Sequence, residues 1–178
     1  NNFNHASKIS QLRRINSATT KIKNSLIPRY LHTTQFGFIC PCETPEGEYI
    51  GFIKHLALIT FISTGIGTSE QLEIIKYIRD ISHNERIGSK RIILDGLILG
   101  YSDDIFKTRD FFRNLRFDGF IDKFIGLSLD DDENLVIRIN ENRICRFILN
   151  NKPSESDIFK DKTIKDLLRD RIIECVDS

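Results

Sequence analysis

The stretch RYLHTTQFGFICPCETPEGEYIGF, residues 29–52, constrains the fold of this 178-residue chain more than any other segment. It sets three glycines, two prolines, two cysteines and three glutamates among aromatic and aliphatic side chains. Proline fixes φ and removes a backbone donor, while glycine opens left-handed backbone, so no regular helix or central strand runs through it. The segment is expected to be shaped, irregular backbone. At its centre, Glu43-Thr44-Pro45-Glu46-Gly47 reads as a rigid turn presenting carboxylates, with Pro45 and Gly47 bracketing Glu46. A plain surface turn, or Glu46 as the cap of a following helix, is the bland alternative.

Cations surround this turn. Arg13, Arg14, Lys21, Lys23 and Arg29 precede it with His32, and Lys54 follows. Residues 1–60 hold seven Lys/Arg against three acids, whereas the remainder is slightly acidic, a contrast hidden by the net charge of +1. A basic first third points to a polyanion nearby. A rigid acidic turn among those cations suits a place where phosphates are gripped and some positions stay anionic. No apolar run is long enough for a membrane span, and NNFNHASK lacks the apolar core of a signal peptide, so no membrane partner is expected. The absence of methionine suggests a piece of something longer. Cys40 and Cys42 flank a proline, a poor geometry for a mutual bridge, so buried structural thiols in a reducing compartment are expected, with Cys145 and Cys175 beside them.

Further along, residues 4–15 predict a helix end carrying Ile9 and Leu12 on one face, and 16–28 an exposed loop. HLALITFIS (55–63) fits a buried helix, although its periodicity admits a strand. GIGTSEQLEIIKYIRD predicts a helix capped by Thr68 or Ser69, with Leu72, Ile75 and Ile78 inward. In RIILDGLILGY, Asp95-Gly96 between apolar runs signals a hairpin. SDDIFKTRDFFRNLRFDG predicts a helix capped by Ser102 or the following aspartates, striped by Ile105, Phe106, Phe112 and Leu115 and ended by Gly119. Strands follow in KFIGLSL, LVIRI and RICRFIL, then a linker at NNKPSES and a tail with a short helix and a strand. The fold class is α+β: a loop-rich helical segment (1–65), a helical connector (66–90), a β-hairpin/helix/antiparallel-sheet domain (91–150), and a closing segment (151–178).

Several chemistries fall away. DDDEN (130–134) begins like a calcium loop, but Leu135 stands where that loop needs glycine, and a turn between strands explains it better. Cys40-Pro41-Cys42 lacks the second pair of a structural zinc site, though His32 and His55 offer further donors. A hydrolase using Cys40 or Cys42 with His32 has only proximity behind it. There is no phosphate loop and no Ser-His-Asp spacing.

RRIN followed by Ser17, then P-R-x-L-H-x-T from Pro28, then G-x-x-C-P-x-E-T-P-E-G from Gly37, then Gly51 and the apolar run after Lys54, form one pattern. It resembles the fork region of the second-largest subunit of multisubunit DNA-directed RNA polymerases. The resemblance is dense over 13–57. More loosely, 91–149 resembles the small external domain that follows the fork in eukaryotic, archaeal and large-DNA-virus enzymes, and TIKDLLRDRIIECVDS resembles the start of the segment leading to the RNA–DNA hybrid. It implies an internal fragment of a nucleotidyltransferase that works with the largest and smaller subunits, template and non-template DNA and nascent RNA. Ser17–Leu26 would be the fork loop. Arg13, Arg14, Lys21, Lys23, Arg29, His32 and Lys54 would be anchoring or phosphate-facing groups. Glu43, Pro45, Gly47 and Gly51 would shape the turn, and Glu46 would point towards the nucleotide–metal site.

In that family the catalytic aspartates that hold Mg²⁺ lie mainly on the largest subunit. No catalytic residue or cofactor is therefore expected in this fragment itself, which would be inactive alone. A stand-alone nucleic-acid-binding module is the alternative. Departures from the pattern are Gln35 in the family's T-H-aromatic-G, Cys42 where Ala or Ile is common, and His55 where Asn is usual. The Asn/Ile/Lys/Asp-rich composition fits an AT-rich genome such as a large DNA virus, with location in the nucleus, virion or host cytoplasm.

Overall fold

The computed structural model of the chain describes residues 3–16, 26–84, 88–150 and 161–177. It divides into two units, 1–61 and 62–178. Most of the loop predicted at 16–28, including Lys21 and Lys23, lies outside the described residues. Among the described residues no helix is long and apolar enough to cross a membrane.

The first unit has little regular structure. α1 (His5–Leu12) starts where the Asn4 side chain accepts the N–H of Ser7 at 2.8 Å, and none of its residues is buried. β1 (Arg14–Asn16) pairs antiparallel with β2 (Ile53–His55), setting Arg14 opposite His55 and Ile15 opposite Lys54. Between them run three single 3₁₀ turns, Ile27–Arg29, Thr33–Gln35 and Gly47–Tyr49. The helix expected at 55–63 does not form. His55 ends β2 and Leu58 is 96% exposed, so that apolar run is not core of this unit. Its backbone is instead tied locally, with Ala57 N–H donating to Phe38 O at 2.9 Å and Thr60 N–H to Ala57 O at 3.0 Å.

The second unit, entered through β3 (Phe61–Ile62), contains the hydrophobic core. α2 (Thr68–Ile81) buries Ile74 and Ile78, while Leu72 is exposed. The inward face is thus rotated from the predicted one, and Gly67 rather than Thr68 or Ser69 is the N-cap. β4 (Lys90–Leu94) and β5 (Leu97–Ser102) form the predicted hairpin, with both Asp95 (φ 45°) and Gly96 (φ 87°) left-handed. β6 (Gly126–Leu129) and β7 (Leu135–Arg138) complete a four-stranded sheet in the order β5-β4-β7-β6. The β4–β7 pairing is parallel, so the sheet is mixed where an antiparallel one was expected. DDDEN is the β6–β7 turn: Asp130 Oδ1 accepts the N–H groups of Asn134 at 2.7 Å and Asp132 at 3.1 Å, and bonds from Asn134 hold its pKa below the usual value.

α3 (Ile105–Asp118) is capped by Asp104, whose Oδ1 accepts Lys107 N–H at 3.1 Å, and Gly119 (φ 81°) closes its end. Ser102 is no cap, because it lies buried at the end of β5 with its hydroxyl 2.7 Å from that of Thr108. The buried face of α3 is Ile105, Thr108, Phe112 and Arg116, while Phe106 is half exposed.

Arg116 marks the second organising feature. β8 (Ile144–Leu149) pairs antiparallel with β9 (Ile173–Asp177), reached through α4 (Ile164–Arg169) and its Thr163–Asp166 capping box. Two carboxylates of β9 are each held by two arginines. Glu174 takes Arg116 and, at 3.0 and 3.1 Å from Nε, Arg113, both from α3. Asp177 takes Arg143 at 2.9 Å and Arg138 at 3.5 Å. Arg116 also donates to Ile125 O at 2.8 Å, and burial lowers its pKa to about 10, which leaves it charged at neutral pH. Gly126 makes room for the clamp, since a Cβ there would sit 2.3 Å from Asp177 Oδ2. Cys145 and Cys175 lie buried between these groups, and burial raises both thiols, Cys175 to about 12.

The Arg116–Glu174 pair makes a direct prediction. Its side chains are only 4% and 10% exposed, so Glu174→Ala leaves an uncompensated buried guanidinium. In denaturant unfolding of the full chain followed by hydrogen exchange in β7 and α3, that variant should lose about 3–5 kcal/mol. A loss under about 1 kcal/mol, typical of exposed pairs, would show the clamp to be ornamental.

Candidate nucleic-acid interface

The acidic turn is built from its base upward. Gly51 is left-handed (φ 75°), and a Cβ there would come within 2.6 Å of Arg29 Cα and 2.8 Å of Arg29 O. Only glycine allows two backbone stretches to touch in this way. The Arg29 guanidinium then donates to Ile50 O at 2.8 Å and lies over the Phe52 ring, 4.4 Å from its centroid. Thr44 ties the two ends of the turn together: its hydroxyl accepts Gly51 N–H at 2.9 Å and donates to Ile53 O at 3.1 Å. Gly47 is also left-handed (φ 81°), but nothing lies within 4 Å of a Cβ placed there, so its requirement is conformational alone.

Three glutamates leave this base differently. Glu43 Oε1 accepts the Ser10 hydroxyl and lies 3.4 Å from His55 Nδ1. Glu46 sits at the N-cap position of Gly47–Tyr49, yet its side chain makes no capping bond. The carboxylate of Glu46 is exposed and has no partner among the described residues. The expected alternative of a helix cap therefore does not describe it. Glu48 is exposed within the same 3₁₀ turn.

The cations also divide. Arg13 donates to the carbonyls of Ala57 and of Thr60, the latter at 2.9 Å, and its own carbonyl accepts Leu56 N–H at 3.0 Å. Arg13 and Arg29 are anchors of the unit. Arg14 is exposed beside Lys8, Gln11 and Leu12, which line an open groove with it. Lys54 is half exposed and makes no ion pair among the described residues. His32 is exposed and caps the 3₁₀ turn Thr33–Gln35, its Nδ1 accepting Thr34 N–H at 3.3 Å.

Cys42 is exposed and Cys40 half buried, correcting the expectation of buried structural thiols at this pair. Among the described residues no group of three His, Cys, Asp or Glu could hold a metal ion. Sequence reasoning gave Ser10 and Thr44 no role of their own and considered His55 only as a further metal donor and a departure from the family pattern. Their partners are brought close by the fold, and the nearest sequence signal is Thr44 inside the turn itself.

Residues 1–62 match the family described as "RNA polymerase Rpb2, domain 3". The chain is 30% identical over 155 residues to the DNA-directed RNA polymerase II subunit RPB2 of Encephalitozoon cuniculi, covering 84% of this chain and 14% of that protein. It is 36% identical over 157 residues to the RNA polymerase III subunit RPC2 of Schizosaccharomyces pombe, covering 81% and 13%. It is also 33% identical over 141 residues to the RNA polymerase subunit 2 of Acanthamoeba polyphaga mimivirus, covering 73% and 12%. The chain thus spans a small part of the length of the curated relatives it matches.

The two glycines of the turn should respond unequally to substitution. Gly47→Ala meets only the left-handed backbone, which costs about 1–2 kcal/mol. Gly51→Ala adds a collision with backbone that has no free end to move, so it should disorder residues 29–52 outright. Hydrogen exchange of the Gly51 and Ile53 amides reads the difference, and equal effects of the two variants would refute the close approach.

Proposed function

This chain belongs to the family of second-largest subunits of DNA-directed RNA polymerases, and from that premise we propose that its first unit is a fork-region contact surface for nucleic acid beside the active centre. The observation that carries the proposal is Glu46: an exposed, unpartnered carboxylate on a turn whose base is fixed by Thr44, Gly51 and Arg29. A carboxylate carried on a backbone of fixed shape suits electrostatic positioning of a reacting group. In this reading Glu46 faces the incoming triphosphate, and Mg²⁺, held mainly by the largest subunit, supplies the charge that stabilises phosphoryl transfer. In this reading the chain serves as scaffold and contact surface, with the metal-holding carboxylates on the largest subunit, and synthesises no RNA alone.

Arg14 and Lys54 are the phosphate contacts in this reading, together with Lys21 and Lys23 between Asn16 and Leu26. Arg13 and Arg29 hold the shape of the unit. The enzyme's other subunits, template and non-template DNA and nascent RNA are the partners. The surface of the first unit supports such an assembly. Among its described residues no hydrophobic side chain is buried, while Tyr30, Leu31, Phe36, Tyr49 and Leu58 are exposed. A self-standing binding module would cover that much apolar area itself.

Two measurements on the assembled polymerase test this reading. Glu46→Ala and Glu46→Gln should both alter elongation rate or its Mg²⁺ dependence while leaving thermal stability within about 1 kcal/mol. If Gln elongates like Glu and only Ala loses stability, Glu46 is a packing element and the reading is wrong. Neutralising Arg14, Lys21, Lys23 or Lys54 should weaken nucleic-acid binding equally across sequences and flatten the log–log salt dependence by about 0.7–0.9 per lost phosphate contact. An unchanged slope with sequence-selective loss would remove these residues from the phosphate surface.

A further inference from the structure

Ser10, Glu43 and His55 form a cluster to which the proposed function gives no task. They come from three separate elements: α1, the start of the acidic turn, and the end of β2. One oxygen of Glu43 accepts the Ser10 hydroxyl and lies 3.4 Å from His55 Nδ1, which is itself 3.4 Å from Ser10 Oγ. His55 is only 7% exposed, whereas the Glu43 side chain is about half exposed. The histidine is also fixed by its backbone. Its carbonyl accepts Cys40 N–H at 2.8 Å, and it stands opposite Arg14 in the β1–β2 pair. A buried imidazole on a fixed backbone is thus aimed at a carboxylate that could otherwise swing into solvent.

That carboxylate is three residues from Glu46. Released, it would place a second mobile negative charge beside the projecting one and free the start of the turn from α1. We propose that His55 and Ser10 are positioning residues: they hold Glu43 back against α1, so that the turn is fixed at its start and presents Glu46 at its tip without a loose carboxylate from position 43 beside it. The inference rests on the reading of Glu46 as an active-centre acid. The hold itself, however, can be measured without that reading.

Asparagine makes the discriminating substitution, because its amide nitrogen lies as many bonds from Cα as Nδ1 of histidine and carries an N–H. In the assembled polymerase containing the full chain, His55→Ala should lower the nucleotide-saturated elongation rate about 5–30-fold, as misplacement of a positioned group does. The apparent KM for nucleotide should move less than about 2-fold, the mark of an interaction that acts on the chemical step rather than on binding. His55→Asn should recover most of that loss, and Ser10→Ala should give a smaller one. His55→Ala combined with Glu43→Gln should be no slower than the worse single variant, because both remove the same contact.

Hydrogen exchange at Glu46–Tyr49 in the same complex gives a readout independent of activity. It should accelerate in His55→Ala and stay slow in His55→Asn. If His55→Ala fails to assemble, Ser10→Ala and His55→Asn carry the comparison against Glu43→Gln. Equal defects in His55→Asn and His55→Ala, multiplying effects in the double variant, or unchanged exchange in His55→Ala would each overturn the proposal. A silent Glu46→Gln together with the rescue by Asn and the exchange pattern would uphold the hold on Glu43 and sink only the role of Glu46.

Discussion

The touching backbones of Gly51 and Arg29 are the constraint on which the first unit depends. With no buried hydrophobic side chain among its described residues, this unit lacks the usual source of order. It relies on backbone geometry and polar ties instead. Gly51 lets residues 29 and 51 meet, Thr44 bridges the turn at its neck, and Arg13 and Arg29 gather carbonyl groups that irregular backbone would leave unpaired. Every polar group engaged at the base is one not offered to a ligand. Among the groups left projecting after that accounting are Glu46, Arg14, Lys54 and a set of large apolar side chains.

The second unit solves the same problem in the opposite way. Its apolar core of isoleucine, leucine and Phe112 is conventional, but β9 is fastened by carboxylates as well as by the small apolar cluster of Ile173 with Leu168, Ile172 and Phe147. Glu174 and Asp177 each lie between two arginines drawn from α3, β7 and the approach to β8. Buried pairs of this kind add little stability over well-packed hydrophobic residues, but losing one partner is severe. The consequence is a pinned register of β9 against β8, since a shift by one residue turns each carboxylate away from the face where its arginines lie.

How much of this was legible in the sequence follows the range of each interaction. Asp95-Gly96, Gly119 and the Asp130–Asn134 turn announce themselves because backbone dihedrals and Asx bonds are local. The acidic turn was legible for the same reason. The run at 55–63 misled because apolar composition was taken to mean burial, and in this unit it does not. On α2, Ile74 and Leu72 are both plausible inward residues until a sheet chooses between them. Arg113 and Arg116 meet Glu174 across 61 and 58 residues, and Ser10 meets Glu43 across 33. Nothing in local spacing marks such partners. The family resemblance did what local signals could not, placing the turn in a functional context before any contact was known.

The central claim is that a stiff turn aims Glu46 at the reacting nucleotide. Its most direct test is a density map of the assembled polymerase, with template, nascent RNA and incoming nucleotide bound. The account predicts the Glu46 carboxylate facing the metal-bound triphosphate, in direct contact or through one bridging water, with Arg14 and Lys54 turned to phosphates. A Glu46 carboxylate buried against another protein segment, with the nucleic acid on the far side of the first unit, would contradict it.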